Sequence, residues 1–233
     1  MDFFLIYNNI NQISMKIQLA IMLAFSFVTS CAQKQTGAGE MAGTNGIVNH
    51  LQNNVKLKVA TFAGGCFWCT ETIFDHIIGV HEVISGYSGG KEENPTYEMV
   101  GSGRSSHAEA FQVYYDPVII SYKDLVRVFF ASIDPTMING QGPDRGTQYR
   151  TIAFYNNEVE KQIILDKIRE IGRDYDDPIA TQVLPFEKFY EAEDYHQDFV
   201  RRNPYQGYVR HESIPRRQRT LAKVQELVKK DVK

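Results

Sequence analysis

The amino-acid sequence predicts an α+β fold, and three observations carry that prediction. Segments with strand and helix character follow one another in the order β-α-β-β-α-β between Val55 and Arg173. The strand candidates are short and most end at Gly- or Ser-rich turns. The helix candidates repeat apolar residues at helical spacing and have recognisable ends. This order is that of the split βαβ, or ferredoxin-like, unit, a two-layer core, here with long loops and a C-terminal extension.

Val55 to Phe62 begins with strict alternation and reads as the first strand. Ala63-Gly64-Gly65 is a tight turn, and Cys66 to Ile78 has helical apolar spacing closed by Gly79. Val80 to Tyr87 is the second strand, ended by Ser88-Gly89-Gly90. Lys91 to Ser105 reads as loop, and His107 to Tyr115 as the third strand. Ser121 to Ser132 is an amphipathic helix with a serine N-cap. Asp134 to Gly146 is a Gly- and Pro-containing loop. Tyr149 to Tyr155 is the fourth strand and Asn156 to Arg173 the second long helix. The remainder to about Gln206 mixes loop and helix.

The folded domain is expected over residues 55–213. Ahead of it, Met15-Lys16 and the apolar run Ile17–Val28 have the pattern of a secretory signal, too short to cross a bilayer comfortably. The run closes on Val28-Thr29-Ser30-Cys31, which resembles the lipobox of bacterial lipoproteins. That resemblance implies cleavage before Cys31, lipidation of Cys31 and a membrane anchor in the cell envelope. Translation is expected to start at Met15, with residues 1–31 as signal segment and 32–54 as a polar, flexible tether. An ordinary signal peptide or an uncleaved anchor is the alternative. Residues 214–233 are rich in Arg and Lys, with Leu221, Val224, Leu227 and Val228 spaced for one helical face. They read as a solvated helix docked on the domain, with contact to anionic lipid as a second reading. Lys+Arg number 25 against 28 Asp+Glu, which gives no footprint for nucleic acid. One C-x-x-C cannot close a zinc site, and no metal or cofactor is expected.

The chemistry lies at the strand-turn-helix around Cys66. The glycines place Cys66 at a helix N-terminus, where free N–H groups and the helix dipole favour a thiolate. An ordinary thiol is only about 3% ionised at pH 7, so a modest drop in pKa raises reactivity. Cys69 follows one helical turn later, close enough for a disulfide. Two small residues packed in a core would be the bland explanation of such a pair.

Gly64-Gly65-Cys66-Phe67-Trp68-Cys69-Thr70-Glu71 resembles the signature of A-type peptide methionine sulfoxide reductases. Ser85–Gly90, Asn94–Tyr97, Ser102-Gly103 with His107–Ala110, Asp134–Thr136, Gln141–Arg150 and Phe189–Gln197 resemble further segments of that family, in the same order. The resemblance runs from about Val55 to Tyr208. It implies reduction of methionine-S-sulfoxide, free or in proteins, with Cys66 as nucleophile and Glu109 as the acid. Tyr97 and Tyr149 would hydrogen-bond the oxygen, Phe67 and Trp68 would wall the methyl pocket, and Asp144 would order polar groups beside it. Glu109 must be protonated to donate, so burial is expected to raise its pKa. The tail holds no cysteine after Cys69, which leaves Cys69 to resolve a Cys66 sulfenic acid. A thioredoxin-like dithiol is implied as reductant, and a monomer is expected. His196 reads as a hydrogen-bonded structural residue, Glu71 as one that suits the helix dipole, and His107 as a residue that orders Glu109 or packs. An envelope dithiol–disulfide oxidoreductase of thioredoxin type is the alternative function, and a lipoprotein binding module with a structural cysteine pair is a third.

Overall fold

The computed structural model describes residues 56–230. The signal segment, Cys31, the tether and Val55 lie outside the described residues.

Strand β1, Lys58–Gly64, is exposed at its start and fully buried from Ala60 onward. It runs through the middle of a six-stranded sheet because its inner half carries only small or apolar residues and one buried threonine. Helix α1, Phe67–Phe74, follows after a two-residue turn. Strand β2, Val80–Ser88, and strand β3, Ala108–Tyr115, come next, with a short helix α2, Tyr97–Gly101, between them. Helix α3, Tyr122–Ser132, starts where the Ser121 side chain accepts the Asp124 N–H. Two two-residue strands, β4 (Gly140–Gln141) and β5 (Asp144–Arg145), form a small separate pair. Strand β6, Thr151–Tyr155, leads into helix α4, Glu158–Ile171, capped by Asn157.

Strands β6, β1, β3 and β2 lie side by side in that order, each antiparallel to its neighbour. Two edge strands complete the sheet. Strand β7, Gln182–Pro185, pairs parallel to β6, and β8, Phe189–Glu191, pairs antiparallel to the Gly86–Ser88 end of β2. The core gathers on Phe62 of β1. Its ring stacks on Phe129 of α3 at 4.8 Å between centroids and on Phe74 of α1 at 6.0 Å. Both helices therefore bury an aromatic side chain against one face of the central strand, which fixes the position of the α1 N-terminus.

Several boundaries differ from the sequence reading, each for a local reason. The stretch 91–105 is not all loop: Thr96 accepts the Met99 N–H and starts α2. Tyr149 belongs to a 3-10 turn, Thr147–Tyr149, rather than to β6. Gly146 sits at φ 131°, and its carbonyl takes the Tyr149 N–H, so the chain is lifted off the sheet before Thr151. The edge strands β7 and β8 escape a pattern search because each spans only three or four residues. Near the C-terminus, helix α5, Phe199–Arg202, is followed by a π-helical turn, Val209–Ser213, that continues into α6, Ile214–Lys223. Val224 and Leu227 are still buried, but beyond the end of α6, where the chain passes into a 3-10 turn. Among the described residues no helix is long and apolar enough to cross a membrane.

Candidate active site

The turn between β1 and α1 builds the site. Gly65 has φ 77°, in the left-handed region, and a Cβ there would meet the Cβ of Gln141 at 2.5 Å. Only glycine fits, and the turn delivers Cys66 to the N-cap of α1. The first helical N–H, that of Phe67, has no partner within the helix. It donates instead to the Glu109 Oε2 at 3.0 Å, which ties the acid of β3 to the start of the cysteine helix. Phe62 of β1 faces Phe111 of β3, so Glu109, two residues along β3, lies beside the end of β1 where the turn begins.

Glu109 is 2% exposed, and burial pushes its carboxyl up to about 8. The Phe67 N–H works in the opposite direction and does not overcome the burial. Its other oxygen has no hydrogen-bond partner among the described residues. Tyr97 and Tyr149 stand half-buried around this carboxyl. Burial, with the nearby charges of Glu109, Cys66 and Asp144, raises both phenols, Tyr97 to about 12. Among the described residues neither hydroxyl is engaged by another protein group.

Phe67, Trp68, Tyr97 and His196 form the apolar wall. The Phe67 ring lies 6.3 Å from Trp68 and 6.5 Å from Tyr97. Trp68 is held on two sides: Phe199 stacks on it at 3.7 Å, nearly parallel, and its Nε1–H donates to His196 Nδ1 at 3.1 Å. His196 thus has the hydrogen-bonded place expected of it, although its Nε2 is buried without a protein partner among the described residues. Asp144, on β5, accepts the Tyr208 hydroxyl at 2.5 Å, and burial raises its carboxyl.

The expectations for Glu71 and for the Cys66 thiol need correction, and of the two alternatives for His107 the packing one stands. Glu71 does not merely complement the helix dipole. It is buried, accepts Ser85 Oγ at 3.2 Å and the Asp198 N–H at 2.6 Å, and burial pushes it up to about 8. His107 does not touch Glu109; the Gly90 N–H and Glu92 carbonyl occupy its ring nitrogens. The Cys66 thiol also departs from the simple helix-dipole argument. It is buried, and burial raises it well above an ordinary thiol. Cys69, also buried and free, is held down to about 7 by its contact with Cys66 and by groups from the C-terminal segment.

Those C-terminal groups were missed by the sequence reading. Ser213 Oγ lies 3.1 Å and Tyr208 OH 3.7 Å from Cys69 Sγ. Arg216 reaches under the turn, with Nε donating to the Ser132 carbonyl at 2.9 Å and an amino group to the Gly64 carbonyl at 2.7 Å. The signal was present: Val209, Ser213, Arg216, Thr220 and Val224 are buried at steps of three or four residues, a helical stripe whose polar members disguise it.

Fold and site together define a dithiol oxidoreductase with a neutral buried acid beside an aromatic-walled cysteine. The family model for peptide methionine sulfoxide reductase matches residues 58–228. The chain is 50% identical to peptide methionine sulfoxide reductase MsrA 1 of Rhodopirellula baltica over 151 residues, covering 65% of this chain and 79% of that one. It is 44% identical to the MsrA of Pasteurella multocida over 170 residues, 73% of this chain and 98% of that one. The fold is similar to reduced Mxr1 from Saccharomyces cerevisiae, with TM-score 0.60 and 35% identity over 66% of this chain and 89% of that one. The chain belongs to the peptide methionine sulfoxide reductase family and is an oxidoreductase that reduces methionine sulfoxide.

Proposed function

We propose that the chain reduces the S epimer of methionine sulfoxide, free or in proteins, and recycles through a Cys66–Cys69 disulfide. The observation that carries this reading is the Glu109 carboxyl, neutral near pH 7 and fixed to the first N–H of the cysteine helix. A sulfoxide sulfur accepts a nucleophile, but its oxygen leaves poorly without a proton. Cys66 attacks the sulfur, Glu109 gives the oxygen its proton and takes up in its place the proton the Cys66 thiol gives up, and Tyr97 and Tyr149 hydrogen-bond the oxygen. Methionine departs, and the Cys66 thiol has become a sulfenic acid that carries the oxygen and one hydrogen. Phe67 and Trp68 take the S-methyl group and exclude water, while Asp144 fixes Tyr208.

Cys69 then attacks the Cys66 sulfur. The S–S bond forms, the S–O bond breaks, and the oxygen leaves as water. Cys66 is the N-cap and not part of the helix, so closing the bond disturbs at most the hydrogen bonds of its carbonyl, from Cys69 N–H at 3.1 Å and Thr70 N–H at 3.4 Å. An external dithiol of thioredoxin type reopens the disulfide by exchange. The four strands β6-β1-β3-β2 serve as the split βαβ, ferredoxin-like, core of the enzyme. The lipobox-like Val28–Cys31 supports an exported, lipid-anchored protein of the cell envelope, acting as a monomer.

The test is reduction of dabsyl-methionine sulfoxide with dithiothreitol, followed by chiral separation of the residual sulfoxide. The S epimer disappears and the R epimer stays, since each epimer has its own enzyme class. Consumption of both at similar rates would overturn the assignment.

A further inference from the structure

The buried cation Arg216 makes no ion pair among the described residues. It is 6% exposed, and two of its nitrogens are spent on the carbonyls of Ser132 and Gly64. Among the described residues no carboxylate lies within ion-pair distance of it. A guanidinium stays charged, and taking it out of water is costly unless something compensates the charge. The two anionic groups whose ionisation its field favours are Asp144 and Cys69. Asp144 is already tied to Tyr208. Cys69 is fully buried, and its sulfur faces Ser213 and Tyr208, hydroxyls on the same C-terminal segment as Arg216.

We propose that Arg216 and Ser213 are positioning residues for the resolving step: together they form a thiolate site for Cys69, supplied by the C-terminal helix. Arg216 matches the charge, and the Ser213 hydroxyl donates a hydrogen bond to the sulfur. Tyr208 stands further off, its proton committed to Asp144, and completes the enclosure. The groups around Cys69 are thus Cys66 at the N-cap of α1, Glu109 from β3, and Tyr208, Ser213 and Arg216 from the C-terminal segment, with Asp144 of β5 held by Tyr208. Of these, Cys66 gives a hydrogen bond, and Glu109 opposes the anion only where it is itself ionised, above about pH 8. This arrangement suits recycling. A thiolate attacks the sulfenic sulfur of Cys66 to form S–S, and the departing hydroxide takes a proton to leave as water, so the Cys69 proton and the sulfenic hydroxyl are accounted for. Reactivity is thereby divided between the cysteines: the C-terminal helix activates Cys69 and has no such contact with Cys66.

The inference rests on Cys69 being the resolving thiol, and the experiment separates the two. In a Cys66→Ser background, thiolate absorbance at 240 nm reports Cys69 among the folded-domain thiols; Cys31 is replaced by Ser to remove its signal. Cys69 should ionise below the ordinary thiol value of about 8.5. Arg216→Gln should move its midpoint up by about one pH unit or more, Arg216→Lys by much less, and Ser213→Ala by an intermediate amount. With both cysteines present, Arg216→Gln should slow disulfide formation after one equivalent of sulfoxide about tenfold at pH 7, with the rate recovered near pH 9. A Cys69 midpoint at or above 8.5, or one unmoved by Arg216→Gln, would overturn the thiolate site. If Arg216→Gln does not fold by circular dichroism, Ser213→Ala decides: an unmoved midpoint there overturns the proposal and a raised one upholds it. If the unaltered dithiol enzyme makes methionine but no Cys66–Cys69 disulfide, the resolving role fails, while the titration still reports the thiolate site.

Discussion

Glu109→Gln removes one ionisable proton and almost nothing else. The amide oxygen of glutamine can still accept the Phe67 N–H, the hydrogen bond of 3.0 Å that ties β3 to α1. The side chain keeps its volume in a site that is 2% exposed, so no cavity opens. What is lost is the acid. With the carboxyl near 8, about nine-tenths of it is protonated at pH 7 and about one-tenth at pH 9. A positioned acid is worth about 10²–10⁴-fold, or about 3–5 kcal/mol of barrier. Single-turnover release of methionine, followed by rapid quench at pH 7, should therefore slow by at least about a hundredfold. The unaltered enzyme should show an alkaline limb that falls about tenfold between pH 7 and 9, and the variant should lack it. Substrate affinity should change little, since the amide still presents a donor to the oxygen. A rate within about threefold of the unaltered enzyme at pH 7 would refute the assignment of Glu109 as the proton source.

Cys69→Ser should release one methionine per enzyme and stop with Cys66 as a sulfenic acid that dimedone traps, and Cys66→Ser should release none; normal turnover of Cys69→Ser with thioredoxin would show that the reductant attacks Cys66 directly. Protein extracted from membranes should begin at Cys31 and carry an acyl mass increment, and a mature protein with an unmodified Cys31 would contradict the anchor. Stability should fall as pH rises from about 4.5 to 8: Glu71 and Glu109 each sit near 8 in the folded protein against about 4.3 unfolded, so the native state holds the extra protons in that window. Glu71→Gln should flatten the curve and raise the melting temperature at pH 8 by at least about 3 °C relative to the unaltered protein, and an unchanged pH slope would show that Glu71 is not held neutral.

The local parts of this site were legible in the sequence, and the long-range parts were not. Cys66, Phe67, Trp68 and Cys69 are neighbours in the chain, so the glycine turn and one helical turn suffice to place them. Glu109 becomes a partner only through strand pairing, because Phe62 faces Phe111 and the acid follows two residues away. Family motifs supplied Glu109 where periodicity had no reason to choose it. Tyr208, Ser213 and Arg216 meet Cys69 and its turn from about 140 residues away. The Arg-rich composition of that tail argued for a solvated face, yet Arg216 is buried while Arg217, next to it, donates to Thr72 from a half-buried position. Charge alone misplaced the helix, and the stripe of Val209, Ser213, Arg216, Thr220 and Val224 would have corrected it. Tyr149 reads as strand in the sequence, but Gly146 turns the chain first and leaves it in a 3-10 turn.

The buried tail also explains how so short a helix can carry the reacting sulfurs. Helix α1 has eight residues, fewer than an isolated helix needs to persist in water. Its geometry must therefore come from contacts made on all sides. Glu109 takes its first N–H, Arg216 holds the carbonyl of Gly64 just before it, and Arg217 reaches Thr72. Glu71 joins it to Ser85 of β2 and to the backbone at Asp198. Phe74 stacks into the core against Phe62. None of these anchors is the Cys66 side chain or its carbonyl. The N-cap residue can therefore close on Cys69, with which it is already in contact, while the other buried side chains of the helix keep their anchors. A cycle that alternates between dithiol and disulfide thus asks for movement at one residue, and the cost falls on the two hydrogen bonds its carbonyl accepts, from the N–H groups of Cys69 and Thr70, rather than on the core.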